Sequence, residues 1–264
     1  MLSFKSYAKI NIFLKITGKR GGYHEIKSRF LRVENLYDEL VFKAKKPKKE
    51  FELFGDFNCE LQDNTIYKAY LFLKEYKKSK IIDDFFEHHA LYVEKNIPKG
   101  GGLGGGSSNA AALLLALNKI LELKLDIKEI CAVGSKVGAD VNFFLHECEA
   151  ADVEGVGEIV TPIKDDIPKI ELVFTNESCD TVNVYKVFRE NFWSGVDVNL
   201  ARKMMELSSK ELLNSFAPIE LNDLLRSVLV CYPNLKAFAR EKVFLSGSGG
   251  TFFKVLDGHD NSEK

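Results

Sequence analysis

Residues 100 to 106 hold six glycines around a single leucine: Gly100, Gly101, Gly102, Leu103, Gly104, Gly105 and Gly106. In a strand or helix interior each glycine costs about 0.5–1 kcal/mol relative to alanine, so this run serves a place where bare backbone is required. The chemistry that requires it is anion binding, because unshielded N–H groups can close on phosphate oxygens. Ser107 and Ser108 follow where a helix is predicted to open. Their hydroxyls are expected to cap that helix, meet phosphate oxygens or touch a bound Mg²⁺, while the helix start adds its positive dipole end. The Walker A order fails, since no Gly-Lys-Ser/Thr follows the glycines, and the G-x-G-x-x-G spacing of a dinucleotide site matches poorly. A flexible linker fits badly too, because linkers join polar segments and this run joins two apolar ones.

The elements that must hold this loop are visible on both sides of it. LYVEKNI (91–97) reads as a strand entering the loop, and SSNAAALLLALNKILELK (107–124) as a buried helix leaving it, apolar on nearly every side. Near the start, Phe4, Ala8, Ile10, Ile12, Leu14 and Ile16 share one parity and Tyr7, Lys9, Asn11, Phe13 and Lys15 the other. That alternation predicts a strand with Lys9 and Asn11 side by side on one face. GKRGGYHE is a turn, DELVFKAK a second strand, and the lysine-rich KAKKPKKE a solvated hairpin tip. Ile66, Ala69, Tyr70 and Leu73 fall at helical spacing over 64–78, with Asp63 or Asn64 as the cap. Asp126 and Glu129 form a capping-box start for IKEICAVGSKV, which Gly138 is expected to close as a left-handed residue.

Beyond about residue 153 the pattern changes. ELVFTN reads as a strand, TVNVYKVFREN, LNDLLRSVLVCY and NLKAFAREK as helices, and VFLSGSGGTFFKV as two strands around a second glycine turn. The polar tail DGHDNSEK is expected to fray. This alternation gives an α+β fold of two lobes sharing a cleft, divided into residues 1–153 and 154–264.

Composition bounds the function classes. The 264 residues are 45% apolar and 28% charged, with a net charge of −1, so no global field favours nucleic acid or an anionic membrane. No apolar stretch reaches the roughly 18 residues of a membrane span. MLSFKSYAKINIFLK is too interrupted by charge to read as a signal peptide. Five scattered cysteines without a C-x-x-C pair argue for reduced thiols in a cytoplasm, packed as small buried hydrophobes, and against zinc. His88 and His89 lack the spacing of a metal-binding helix and are expected at the surface.

The loop PKGGGLGGGSSNAA resembles the signature of the kinase family named for galactokinase, homoserine kinase, mevalonate kinase and phosphomevalonate kinase. AKINIFLKITG and SGSGGTFF match two further signatures of that family in order. The added motifs GYHEI, DNTIYKA, GADVNFFL and EGVGE are similar to the branch whose acceptor is a methylerythritol carrying cytidine diphosphate, the cytoplasmic kinase of the non-mevalonate isoprenoid route. The resemblance runs from about residue 6 to about 253. It implies an N-terminal lobe like ribosomal protein S5, a ferredoxin-like C-terminal lobe, ATP with Mg²⁺ as the donor, and a small-molecule acceptor.

The same resemblance assigns roles that spacing alone does not. Asp140, by itself an ordinary turn residue after Gly-Ala, matches the catalytic carboxylate, and Lys9 matches its lysine partner. Asn64, Lys95, Pro98, Lys99, the glycine run with Leu103, Ser107, Ser108 and Asn109 match positions around ATP. Tyr23 and His24 resemble the residues that hold the cytosine ring, with Tyr185 on its other face, Thr181 beside it and Asn11 toward the methylerythritol. Three positions depart from the family pattern. Asn142 and Gly250 stand where prolines are usual, and Lys99 stands where an uncharged residue is commoner. The alternatives are a sister kinase for homoserine or mevalonate, which have no base to stack, and a non-catalytic nucleotide-binding relative.

Overall fold

A computed structural model describes residues 2–256. The expectation for the tail DGHDNSEK concerns residues outside the described ones. Two long strands, β1 (Leu2–Arg20) and β2 (Tyr23–Ala44), form an antiparallel hairpin that turns at Gly21 and Gly22 and pairs Lys9 with Arg32. β2 is long enough to serve two partners on its other edge. Its residues 39–44 pair with β4 (His89–Glu94) and its residues 26–31 with β5 (Ala150–Gly155). β3 (Leu53–Gly55) lies parallel to β4, and β6 (Ile159–Ile163) closes the sheet beyond β5.

Because β3 joins β4 in parallel, the lysine-rich stretch after β2 is a connector to β3 and not a hairpin tip. Its solvated character stands, with Lys45 and Lys48 paired to Glu52. The crossover from β3 to β4 runs through α1 (Thr65–Lys77) and α2 (Ile81–His88), the second of which the sequence pattern did not reveal. Asn64 caps α1, as expected, by accepting the Ile66 N–H at 2.9 Å.

α3 (Gly105–Ile120), α4 (Ile127–Val137) and α5 (Val141–Leu145) pack with α1 over one face of this sheet. Leu113, Leu114 and Leu117 of α3 share a core with Leu73, Phe86 and Phe143. The Asp126–Glu129 capping box opens α4 with both reciprocal hydrogen bonds. Gly138 follows it in extended backbone, so the expected left-handed closure is absent.

The second sheet is antiparallel, in the order β7 (Ile170–Val173), β9 (Phe252–Val255), β8 (Val243–Leu245). Around it lie α6 (Thr181–Asn191), α7 (Val198–Met205), α8 (Ser209–Ser215), α9 (Pro218–Leu221) and α10 (Leu225–Cys231). The NLKAFAREK segment forms only a short 3₁₀ turn over Pro233–Ala237. The expected division at 153/154 falls inside β5; first-sheet pairing runs on to Ile163, and residues 164–169 connect to the second sheet.

β1 is buried on both faces, which its period-two pattern did not show. Ala8, Ile10 and Ile12 pack with Met204, Phe244 and Phe253 of the second sheet and its helices. Lys9, Asn11 and Lys15, on the opposite parity, are also buried. The strand that carries the candidate catalytic lysine thus belongs to the first sheet and packs on one face against the second.

All five cysteines are free thiols, with Cys59 exposed and only Cys179 fully buried. Burial pushes the Cys131 and Cys179 thiols up to about 11, so neither is a nucleophile near neutral pH. His89 stacks on Phe85. Among the described residues no helix is long and apolar enough to cross a membrane, and no cluster of three His, Cys, Asp or Glu could hold a metal.

Candidate active site

The glycine loop leaves β4 through Lys95 and reaches α3 at Gly105. The carbonyls of Gly100 to Leu103 are committed to protein donors. Gly100 C=O accepts from the Cys179 and Gly250 N–H groups, each at 3.2 Å, and Gly101 C=O from Thr251 N–H at 3.2 Å. Gly102 C=O accepts from Ser246 Oγ at 3.1 Å, and Leu103 C=O from the Lys9 N–H at 3.0 Å. In a trans peptide the N–H points opposite to the C=O, so a loop whose carbonyls face the protein turns its N–H groups outward. That is an anion cradle, and the N-terminus of α3 closes it.

Gly102 shows why no side chain is tolerated. It sits at φ +75°, and a Cβ there would lie 2.2 Å from the Ser246 carbonyl oxygen. Facing it, a Cβ on Gly249 would lie 1.9 Å from Gly102 N. The two glycine segments, far apart in sequence, interlock backbone against backbone.

The loop divides two clefts. One, of about 300 Å³, is lined by the whole glycine run with Asn64, Thr65, Lys95, Pro98, Lys99 and Asn109. The other, of about 510 Å³, holds Lys9, Asn11, Tyr23, His24, Asp140, Thr181 and Tyr185. Gly102 and Gly104 line both, so a phosphate cradled on the loop borders the cleft that contains Lys9 and Asp140.

Two expected residues stand apart. Ser107 and Ser108 line neither cleft. The helix opens two residues before them, at Gly105, and no side chain caps it. Ser108 is buried with its hydroxyl accepting from Ser6 at 2.8 Å. Lys99 lines the first cleft, where its Nζ holds Asp56 and Asn58, each at 2.9 Å, and ties the 56–58 stretch to the loop.

Lys9 is buried at the centre of the second cleft. Its Nζ donates to Asn11 Oδ1 at 2.7 Å, lies 3.3 Å from Asp140 Oδ2, and sits 4.5 Å from the centre of the Phe30 ring. Asp140 precedes α5 but spends no oxygen on capping it, and its side chain is 29% exposed. Its carboxylate is therefore open to the cleft, with Lys9 alongside. Asn142, in place of a proline, donates to Ser135 Oγ and the Glu158 carbonyl, each at 2.9 Å, and so ties the Asp140 turn to the start of β6.

At the outer end His24 packs against Tyr185, ring centres 4.9 Å apart, with Phe188 and Trp193 behind. Its Nε2 is buried without a hydrogen-bond partner among the described residues. Burial, with Arg189 and Lys19 adding like charge, holds the imidazole below its ordinary value, so it is neutral at pH 7. Burial first, then the Asp140 and Asp223 charges, raises Tyr185, which stays a phenol. Tyr23 beside them is 72% exposed. An unpartnered ring nitrogen between aromatic faces is the setting for a flat heterocycle with a polar edge.

Sequence reasoning missed the knot beneath the nucleotide cleft. Asp38, on β2, is fully buried and accepts from Lys95 Nζ, Asn96 N–H at 2.7 Å, Ile97 N–H at 2.8 Å and Asn109 Nδ2 at 2.8 Å. In DELVFKAK nothing but its place in a strand marks it; only the fold brings four donors to it. Removing one partner of a buried pair costs about 3–5 kcal/mol because the other charge is stranded. Asp38→Ala is expected to lose that much stability in urea denaturation and to raise the KM for nucleotide. A loss under about 1 kcal/mol would contradict the knot.

A family profile described as GHMP kinases N terminal domain matches residues 64–147, from the cap of α1 past Asp140. The chain is 43% identical over 260 residues to a 4-diphosphocytidyl-2-C-methyl-D-erythritol kinase of Sulfurimonas denitrificans, covering 97% of this chain and 98% of that protein. It is 35% identical to the protein of that name from Helicobacter pylori, covering 96% and 93%. A crystal structure of 4-(cytidine 5'-diphospho)-2C-methyl-D-erythritol kinase superposes with a TM-score of 0.75 at 28% identity, over 98% of this chain and 91% of that one. The Methanococcus jannaschii mevalonate kinase shares the fold, with a TM-score of 0.62 at 13% identity over 97% and 90%.

Proposed function

The chain belongs to the 4-diphosphocytidyl-2-C-methyl-D-erythritol kinase family, and on that premise we propose that it transfers the γ-phosphoryl group of ATP to the 2-hydroxyl of 4-diphosphocytidyl-2-C-methyl-D-erythritol, a step of non-mevalonate isoprenoid synthesis. The observation that carries this reading is the Lys9–Asp140 pair, set on the acceptor side of a glycine loop that borders both clefts. ATP lies with its phosphates on the N–H groups of residues 100–106 and its nucleoside toward Asn64 and Lys95. The cytosine ring sits among Tyr23, His24 and Tyr185, and the methylerythritol end reaches Asn11, Lys9 and Asp140.

Phosphoryl transfer asks the protein to align the reactants and to stabilise charge. Asp140 accepts the proton of the attacking hydroxyl; the hydroxyl oxygen forms the new O–P bond as the bond from the γ-phosphorus to the bridging oxygen breaks, and ADP leaves with that electron pair. Lys9, fixed by Asn11, meets the negative charge on the oxygens in transfer. Magnesium accompanying the nucleotide would offset phosphate charge and would be held chiefly by phosphate oxygens and water.

The test is turnover with ATP of the cytidine compound against homoserine and mevalonate. Transfer to the cytidine compound alone supports the reading. Transfer to another alcohol favours a sister kinase, and nucleotide binding without turnover favours a non-catalytic relative.

Two predictions concern the base pocket. Stacking is worth about 1–3 kcal/mol per base, so Tyr185→Ala is expected to raise the acceptor KM roughly 5- to 150-fold with kcat little changed. An unchanged KM would remove Tyr185 from the base pocket. For His24, the folded value lies below the unfolded one, so the neutral ring contributes stability above about pH 6.5, lost as pH falls through the lowered value. The acceptor KM is a property of the folded protein, so it is expected to stay flat from pH 8 down through about 6.5 and to rise only as pH falls through the lowered folded value, and His24→Gln is expected to flatten the profile. A rise that survives His24→Gln would assign it to another group.

A further inference from the structure

Asn222 lines neither cleft and is 3% exposed, yet every polar atom of its side chain is used. Nδ2 donates to the Leu245 carbonyl at 3.1 Å and to the Gly247 carbonyl at 2.9 Å, and Oδ1 accepts the Leu224 N–H at 2.9 Å. The same segment grips β1. Leu14 and Asn222 form a β-bridge, Asp223 N–H donates to the Leu14 carbonyl at 3.0 Å, and the Asp223 carboxylate takes the Ile16 N–H at 2.8 Å and the Lys15 ammonium. One buried amide thus ties the strand of Lys9 and Asn11 to the second glycine turn.

That turn stands against the reacting groups. A Cβ on Gly247 would lie 3.2 Å from Asn11 Oδ1 and 3.6 Å from Lys9 Nζ. Gly247 and Ser248 line the acceptor cleft. Drawing the Gly247 carbonyl toward Asn222 turns the N–H of the same peptide, which belongs to Ser248, the opposite way. Of the other N–H groups in the turn, Ser246 is satisfied by the Thr251 carbonyl at 2.9 Å and Gly249 by the Ser246 carbonyl at 3.3 Å, while that of Gly247 meets no acceptor among the described residues. Ser248 N–H donates to no group among the described residues, although Ser248 is buried and its hydroxyl is paired with Thr181 at 2.8 Å. A buried N–H left open is costly unless a ligand takes it.

We propose that Asn222 is a positioning residue that locks the Gly247–Ser248 peptide so that the Ser248 N–H donates to the phosphoryl group passing from ATP to the acceptor. This rests on the kinase reading above. The donor is backbone, so no side-chain motif marks it. The same peptide stands beside Lys9, since a Cβ on Gly247 would lie 3.6 Å from Lys9 Nζ, and Lys9 is where charge on the transferring oxygens is met.

The test is Asn222→Asp, which keeps the shape and sets a carboxylate oxygen against two carbonyls. Loss of one preorganised donor of this kind costs about 10²–10³ in kcat. The expected result is that loss in kcat, with the KM values for ATP and acceptor within about two-fold of wild type. A second readout is the complex of ADP, aluminium fluoride and the cytidine acceptor, whose fluoride stands in for the transferring phosphoryl. Its affinity is expected to fall by the same factor while ADP alone binds unchanged. Unchanged kcat, or parallel loss of ADP binding and kcat, would overturn the proposal. If Asn222→Asp does not fold, Asn222→Ser is read by the same two measurements. A wild type that phosphorylates a different alcohol would sink the substrate reading alone, and the Asn222 comparison would then be made on that alcohol.

Discussion

Asp140→Asn is expected to lower kcat about 10²- to 10⁴-fold while ATP binding and thermal stability stay near wild type, the range a positioned general base contributes. Asparagine matches the shape of the carboxylate but cannot take the proton of the attacking hydroxyl. The structural cost is small because Asp140 neither caps α5 nor is fully buried. Lys9 keeps its 2.7 Å bond to Asn11 in the variant, so the cation remains in place. Rapid-quench and steady-state kinetics on the variant, with calorimetric ATP binding alongside, separate the chemical step from binding. A kcat within about five-fold of wild type would leave Asp140 a bystander to the proton transfer.

Gly102→Ala is expected to cost at least about 3 kcal/mol and to abolish measurable nucleotide binding. Two penalties act together. A left-handed φ costs an alanine roughly 1–2 kcal/mol, and its methyl would stand 2.2 Å from the Ser246 carbonyl oxygen and 2.9 Å from Gly249 N. Those opposing atoms are backbone, so no rotamer change relieves the overlap; the 246–250 turn has to withdraw. Withdrawal breaks the hydrogen bonds that hold the loop carbonyls inward and so spoils the N–H cradle. Gly195→Ala is the control, since a Cβ there meets nothing within 4 Å at ordinary φ, and it is expected to stay within about 0.5 kcal/mol. Chemical denaturation and nucleotide titration on both variants decide the matter. Equal stabilities would mean that the interlock carries no energy.

What was legible in the sequence had a local cause. The glycine run, the Asp126–Glu129 box and the Asn64 cap are short-range chemistry, and each appears where the residues put it. Alternation along residues 4–16 announced a strand and placed Lys9 beside Asn11. What was not legible depends on partners 57 to 144 residues away along the chain. Nothing near Asp38 announces four donors, and nothing near Ser108 says that Ser6 will take its hydroxyl. The glycines read as a phosphate cradle alone, yet half of their reason is the close approach of a second glycine turn. The α7 and α8 helices escaped notice because each spans barely two turns, too short for periodicity to stand out.

The double burial of β1 sets an order of events in the cell. Residues 8–12 leave the ribosome roughly 230 residues before the side chains that cover their second face, Phe244 and Phe253 among them. At usual synthesis rates that is about 10–50 s during which the strand bearing the reactive lysine can pair with β2 yet exposes an apolar flank. The strand of the reacting centre is therefore made long before it is completed. A nascent chain of this protein presents a chaperone-binding surface at the place where its chemistry will later occur.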